Sequence, residues 1–96
     1  MADIRSELSH GTSAKSLAER HSREIVLGEI WDMIDDDINL ADVALRAALE
    51  LGDSSMIQRA AHAVVSDVGY SAHITRIAQK RIAHQKWIEK LFAGEY

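Results

Sequence analysis

From Leu27 to Ala48, apolar residues recur at alternating intervals of four and three: Leu27, Trp31, Ile34, Ile38, Ala41, Leu45 and Ala48. A strand cannot use that period, because its side chains change face at every residue. A helix places all seven on one seam, close to the 3.5-residue repeat of a coiled coil. The chain has no proline to interrupt such a helix. The fold class read from this pattern is all-α.

Local signals divide the pattern into elements. Ser16, with Glu19 three residues on, has the spacing of a capping box. Gly52 suits the left-handed residue that ends a helix. One long helix is therefore expected over about 16–51, continuous through Asp35-Asp36-Asp37. Asp53 then starts a second helix, with Ile57, Ala61, Val64 and Val68 on one stripe, and Ile74, Ile77, Ile88 and Leu91 extending it to about 92. Gly69 is a candidate kink within it. A connection this short makes the two helices antiparallel neighbours. Asp3 and Gly11 bracket a short N-terminal helix ending near Ser9. At 96 residues the whole chain, 1–96, is expected to be a single domain, built as an antiparallel helical hairpin or bundle. A chain this small buries little surface, so a partner or a second copy would help it.

Charge is distributed unevenly. Residues 1–55 hold five Lys/Arg against twelve Asp/Glu, a net of −7; residues 56–96 hold six against three, a net of +3. In a hairpin symmetric about 53–54, Glu29, Asp32, Asp35, Asp36 and Asp37 come within reach of His73, Arg76 and Lys80. The split then has a packing cause. A basic excess of three with few aromatics is too small for a phosphate-binding stripe, so nucleic acid is not an expected partner.

Several chemistries lack their residues. The chain has no cysteine, hence no disulfide, thiolate zinc site or thiol nucleophile. It has no glycine-rich phosphate loop and no Gly-x-Ser-x-Gly elbow. No apolar run approaches the roughly 20 residues of a membrane helix, and the N-terminus does not read as a signal peptide. The expectation is a cytoplasmic protein that is not an enzyme, with no cofactor and no membrane partner.

The histidines are regularly spaced. His62, His73 and His84 stand eleven apart, each after an alanine. Eleven residues is about three helical turns, or about 16 Å, too far for two of them to share one metal ion. They read as flanks of a packing face, with a pH-sensitive face as the alternative. Glu7-x-x-His10 has di-iron spacing but occurs once. No metal site is expected.

One passage resembles a family. Ala48-Leu49-Glu50-Leu51-Gly52-Asp53 followed by Arg59-Ala60-Ala61-His62 resembles the helix–turn–helix passage of histidine phosphotransfer (HPt) domains. The resemblance implies an antiparallel helical bundle in which His62 carries a phosphoryl group between a kinase and a response regulator. The family usually places Lys three residues after its histidine, to neutralise the phosphoryl charge, and Gly four after, to admit the regulator. This chain has Val65 and Ser66 there.

The function read from the sequence is a small interaction or regulatory module that binds a protein partner, or a second copy, through an apolar helix face. Ile25, Val26, Ile30 and Met33 form a second stripe beside the seam that two helices alone would leave exposed. Trp31, Trp87 and Phe92 are the expected anchors, because large aromatics dominate interface energies, with Ile30 and Arg76 beside them. HPt-like phosphotransfer at His62, active or degenerate, is the alternative. A metal- or pH-responsive helical protein is a further one.

Overall fold

The computed structural model describes residues 3–67 and 69–94. It is all-α: α1 (Ile4–Ser9), α2 (Ala14–His21), α3 (Arg23–Asp36), a 3-10 turn (Ile38–Leu40), α4 (Ala41–Leu51), α5 (Ser54–Val65) and α6 (Ala72–Ala93), with no strand among the described residues. None of the helices among those residues is long and apolar enough to cross a membrane.

Several boundaries fall where local chemistry puts them. The Asp3 carboxylate accepts from the Arg5 N–H at the start of α1. Gly52 ends α4 at φ 69°, ψ 26°, in the left-handed region. Asp53 starts α5 by accepting from the Met56 N–H at 2.9 Å. Gly69, the candidate kink, falls in a break between α5 and α6, where Ser71 caps α6 by accepting from the Ile74 N–H. Val68, placed by the sequence on the second stripe, lies outside the described residues.

The single helix expected over 16–51 is instead three helices and a 3-10 turn, and the one over 54–92 is two. Two residues cause the first split. Ser22 has φ 121° and ψ 152°, which ends α2, and its hydroxyl accepts from the Ile25 N–H to start α3. Asp37 is extended at φ −150°, ψ 105°, and accepts from the Asn39 N–H. Its side chain offers the backbone an alternative to the helical ladder. Ser16 caps nothing. The N-terminus of α2 is at Ala14, whose N–H donates to Glu50 of α4 at 2.6 Å.

The break at Asp37 resets the helical phase, so the expected seam holds only in its second half. Ala41, Leu45 and Ala48 are fully buried, joined by Ala44 and Ala47. On α3 the buried stripe is Val26, Ile30 and Met33, while Leu27 and Ile34 are half-buried and Trp31 is exposed. The stripe expected to lie open is thus the core-facing one, apart from exposed Ile25. The core unites it with Leu8, Leu17, the α4 alanines, and Ile57, Ala60, Ala61 and Val64 of α5.

Polar clips hold the helices in place. Arg46 on α4 donates to the carbonyls of Leu8 and Thr12, fastening the α1–α2 turn. Arg5 pairs with Glu29 at 2.9 Å and Asp36 at 3.1 Å, binding α1 to α3. The hydrogen bond to Asp36 is the main reason its guanidinium pKa is raised, with Glu29 adding to it. Tyr70, between α5 and α6, accepts from the Ala41 N–H at 3.0 Å and donates to the Ile38 carbonyl. Burial raises its phenol above the ordinary tyrosine range.

Candidate functional site

α6 differs from the other helices. It is 22 residues long, about 33 Å at the α-helical rise. Its main neighbour is α5. The Gln58 side chain donates to the Arg81 carbonyl at 3.0 Å, which sets the register of this antiparallel pair. Ser54, the first residue of α5, is then level with Gln85. The last two turns of α6 run past the end of α5. They carry three of the chain's large exposed apolar side chains: Trp87 at 49%, Leu91 at 45% and Phe92 at 89%. The Trp87 ring also stacks on His84, with centroids 6.2 Å apart.

The same helix is strongly cationic. Arg76, Lys80, Arg81, Lys86 and Lys90 face a single carboxylate, Glu89. None of the five enters an ion pair among the described residues. The pairs formed there use Arg5, Arg20, Arg23, Arg46 and Arg59. The expected pairing of the acidic group with His73, Arg76 and Lys80 is therefore replaced. Arg5 takes Glu29 and Asp36, and Arg59 takes Asp35.

α3 and α6 flank α5 and leave a groove of about 750 Å³ along it. Trp31 and Asp35 stand on one wall, Gln85 and Glu89 on the other, and Arg59 and His62 line its floor. The Arg59 guanidinium lies 3.7 Å from the centroid of the Trp31 ring and pairs with Asp35. A cation stacked on an indole is held in orientation as well as in charge. Its buried Nε has no hydrogen-bond partner.

His62 is exposed on α5, one turn after Arg59. On its other side it borders a second depression, shared with Val65, Gln79, Ile82, Ala83 and Lys86. No group of three or more His, Asp or Glu side chains among the described residues is placed to hold a metal ion. No family model matches the chain, and no curated protein or solved structure matches it.

The residues singled out in the sequence thus separate. Trp31 is half-exposed under Arg59; Trp87, Phe92 and Arg76 lie on the outer part of α6. Ile30 is fully buried and belongs to the core, so it is not an anchor for a partner. Of the cations beside His62, Arg59 was readable from its spacing one turn earlier, whereas Lys86 was not. Lys86 is 24 positions from His62 in the chain, and only the α5–α6 pairing brings it near.

Proposed function

We propose that this chain is a small helical interaction module that binds a protein partner through α6, without catalysis. The observation that carries this reading is the overhanging end of α6, where Leu91 and Phe92 are exposed amid cations that have no carboxylate partner among the described residues. Exposed apolar side chains rimmed by charge are the usual composition of a binding patch. Aromatic anchors supply the affinity there, and rim charges supply orientation and encounter rate.

The test is a photocrosslinking residue at Phe92, used in the cells that make the protein. The expected result is a discrete higher-mass adduct that disappears when Leu91→Glu is added. No adduct from Phe92 would overturn the reading.

A second reading is phosphotransfer at His62, favoured by the placement of Lys86. The lysine usual three residues after the HPt histidine is absent here, and Lys86 offers a cation from the neighbouring helix instead. In this reading the imidazole of His62 displaces the amine of a phosphoramidate donor. The P–N bond of the donor breaks, a new one forms to the ring, and ammonia leaves. Intact mass after incubation with phosphoramidate tests it. One phosphoryl adduct is expected, lost in His62→Ala and slowed in Lys86→Ala. Equal labelling of the wild type and His62→Ala would exclude it.

A further inference from the structure

α3 presents an outward stripe that complements α6. Its core face is Val26, Ile30 and Met33. The opposite face carries Glu24, Gly28, Trp31, Asp32 and Asp35, bordered by exposed Ile25. Glu24 and Asp32 have no ion-pair partner among the described residues. Gly28 is exposed, and apart from its chain neighbours and the backbone of its own helix no atom lies within 4 Å of where a Cβ would stand. The face is therefore acidic, apolar at its edges and low at its centre.

The outward face of α6 has the opposite charge and a similar plan. Helical spacing aligns Arg76, Lys80, Trp87 and Leu91 on the side away from α5, with exposed Ala83 between that side and the depression it shares with His62. It is cationic toward its N-terminal half, apolar toward its end, and small at Ala83. Two α6 helices from different copies would set these cations against each other. α6 against α3 pairs them with carboxylates.

We infer that the partner of α6 is α3 of a second copy of this chain, the two crossing antiparallel with Gly28 opposite Ala83. This rests on the reading of α6 as the binding surface. The register puts Asp32 level with Lys80, Glu24 and Ile25 with Lys86 and Trp87, and Arg76 beside Asp35, which already pairs with Arg59 in its own chain. A parallel crossing at the same point would instead set Trp87 beside Asp32 and Lys80 beside Ile25. Close approach at Gly28 and Ala83 lets the flanking Ile25, Trp31, Trp87 and Leu91 pack around the crossing. The partner is thus chosen by charge: residues 1–71 hold six Lys/Arg against thirteen Asp/Glu, while α6 holds five against one.

Because the chain has no cysteine, the crossing can be trapped directly. Purified Gly28→Cys and Ala83→Cys chains are each confirmed helical by circular dichroism. They are then mixed and oxidised under native conditions and in urea. Mass spectrometry is expected to show the mixed disulfide as the main native product, well above the urea control. Adding Lys80→Glu to the Ala83→Cys chain should slow its formation about tenfold. Adding Asp32→Lys to the Gly28→Cys chain should then restore it. If the native yield of mixed disulfide is no higher than in urea, or if homodimers of Ala83→Cys predominate, the second copy on α3 is overturned. That outcome together with a photocrosslink from Phe92 to a different protein would leave the α6 reading standing. Loss of both would remove the two together.

Discussion

The α4–α5 hairpin and α6 contain nearly equal lengths of helix, and they are stabilised in opposite ways. The hairpin buries Ala41, Ala44, Leu45, Ala47 and Ala48 on α4 and Met56, Ile57, Ala60, Ala61 and Val64 on α5. α6 buries only Ala78 fully, with Ile74, Ile77 and Ile82 packed against the core from outside. Small side chains let α4 and α5 approach closely at the centre of the molecule, with α3 beside them. α6 lies on the far side of α5 and ends past it. A helix held on one side by one neighbour gains less from burial, and a long exposed end must be sustained by its own propensity or by a partner. The hairpin is where stability resides, and α6 is where the surface is left for binding.

The strongest way to break this contrast is Leu45→Ala. Leu45 is fully buried at the centre of α4, and its truncation should cost about 2–5 kcal/mol. A chemical denaturation curve would measure it. A loss under about 1 kcal/mol would mean that the hairpin does not carry the core.

Tyr70→Phe comes next, because it removes the clip between the α5–α6 connection and the start of α4. The Ala41 N–H keeps its bond to the Ile38 carbonyl, but both groups lose the hydroxyl, a cost of about 1–1.5 kcal/mol. It also changes the alkaline limb of stability. The folded phenol has a raised pKa, so its contribution is intact below about pH 10 and is lost as pH climbs through the higher folded value. Stability of the wild type should fall over that window, and Tyr70→Phe should flatten the fall. Parallel curves for the two proteins would show that the phenol is not held in this contact.

Ser22→Gly should act the other way. Ser22 holds φ 121°, a region costly to a residue with a Cβ by about 1–3 kcal/mol. Glycine relieves that strain and forfeits only a few tenths as an N-cap. The expected net is a gain of about 1 kcal/mol in the same denaturation assay. A loss would place the α2–α3 junction in a different conformation.

Leu91→Ala should have the smallest effect on folding, within about 0.5 kcal/mol for the isolated chain. If the chain self-associates through α6, the same substitution weakens the association while leaving the helix content unchanged. Amide hydrogen exchange sharpens the comparison further. Protection should fall along α6 toward its end, and remain high across Ala44–Ala48 and Ala60–Val64.

The sequence states some of this plainly and some of it not at all. The Trp31 seam illustrates the limit. Ile25-Val26-Leu27, Ile30-Trp31 and Met33-Ile34 supply neighbouring apolar residues at each turn, so two adjacent stripes both have helical period. Which one faces inward depends on where α4 turns off, and that is set by Asp37. A pattern counted through the break follows the phase of α4 and assigns α3 the wrong face. For the same reason Ile30 read as a surface anchor and is core. The candidate site was legible only in parts. Trp87 and Phe92 stood out by size, whereas the pairing of Arg59 with Trp31 and Asp35 joins residues 24 or more positions apart.

What the sequence by itself determined is the local grammar: helical class, the cap at Asp3, the left-handed turn at Gly52 and the restart at Asp53. Each depends on a residue and the few that follow it, so no distant contact is needed to predict it. The tertiary structure alone decided the long-range assignments. Glu50 rather than Ser16 serves the start of α2, Arg5 and Arg59 rather than Arg76 and Lys80 pair with Glu29, Asp36 and Asp35, and the far side of α6 has no helix packed on it among the described residues. Those outcomes depend on which helices lie side by side. That is chosen by burying all the apolar stripes at once, and no single window of sequence contains that choice.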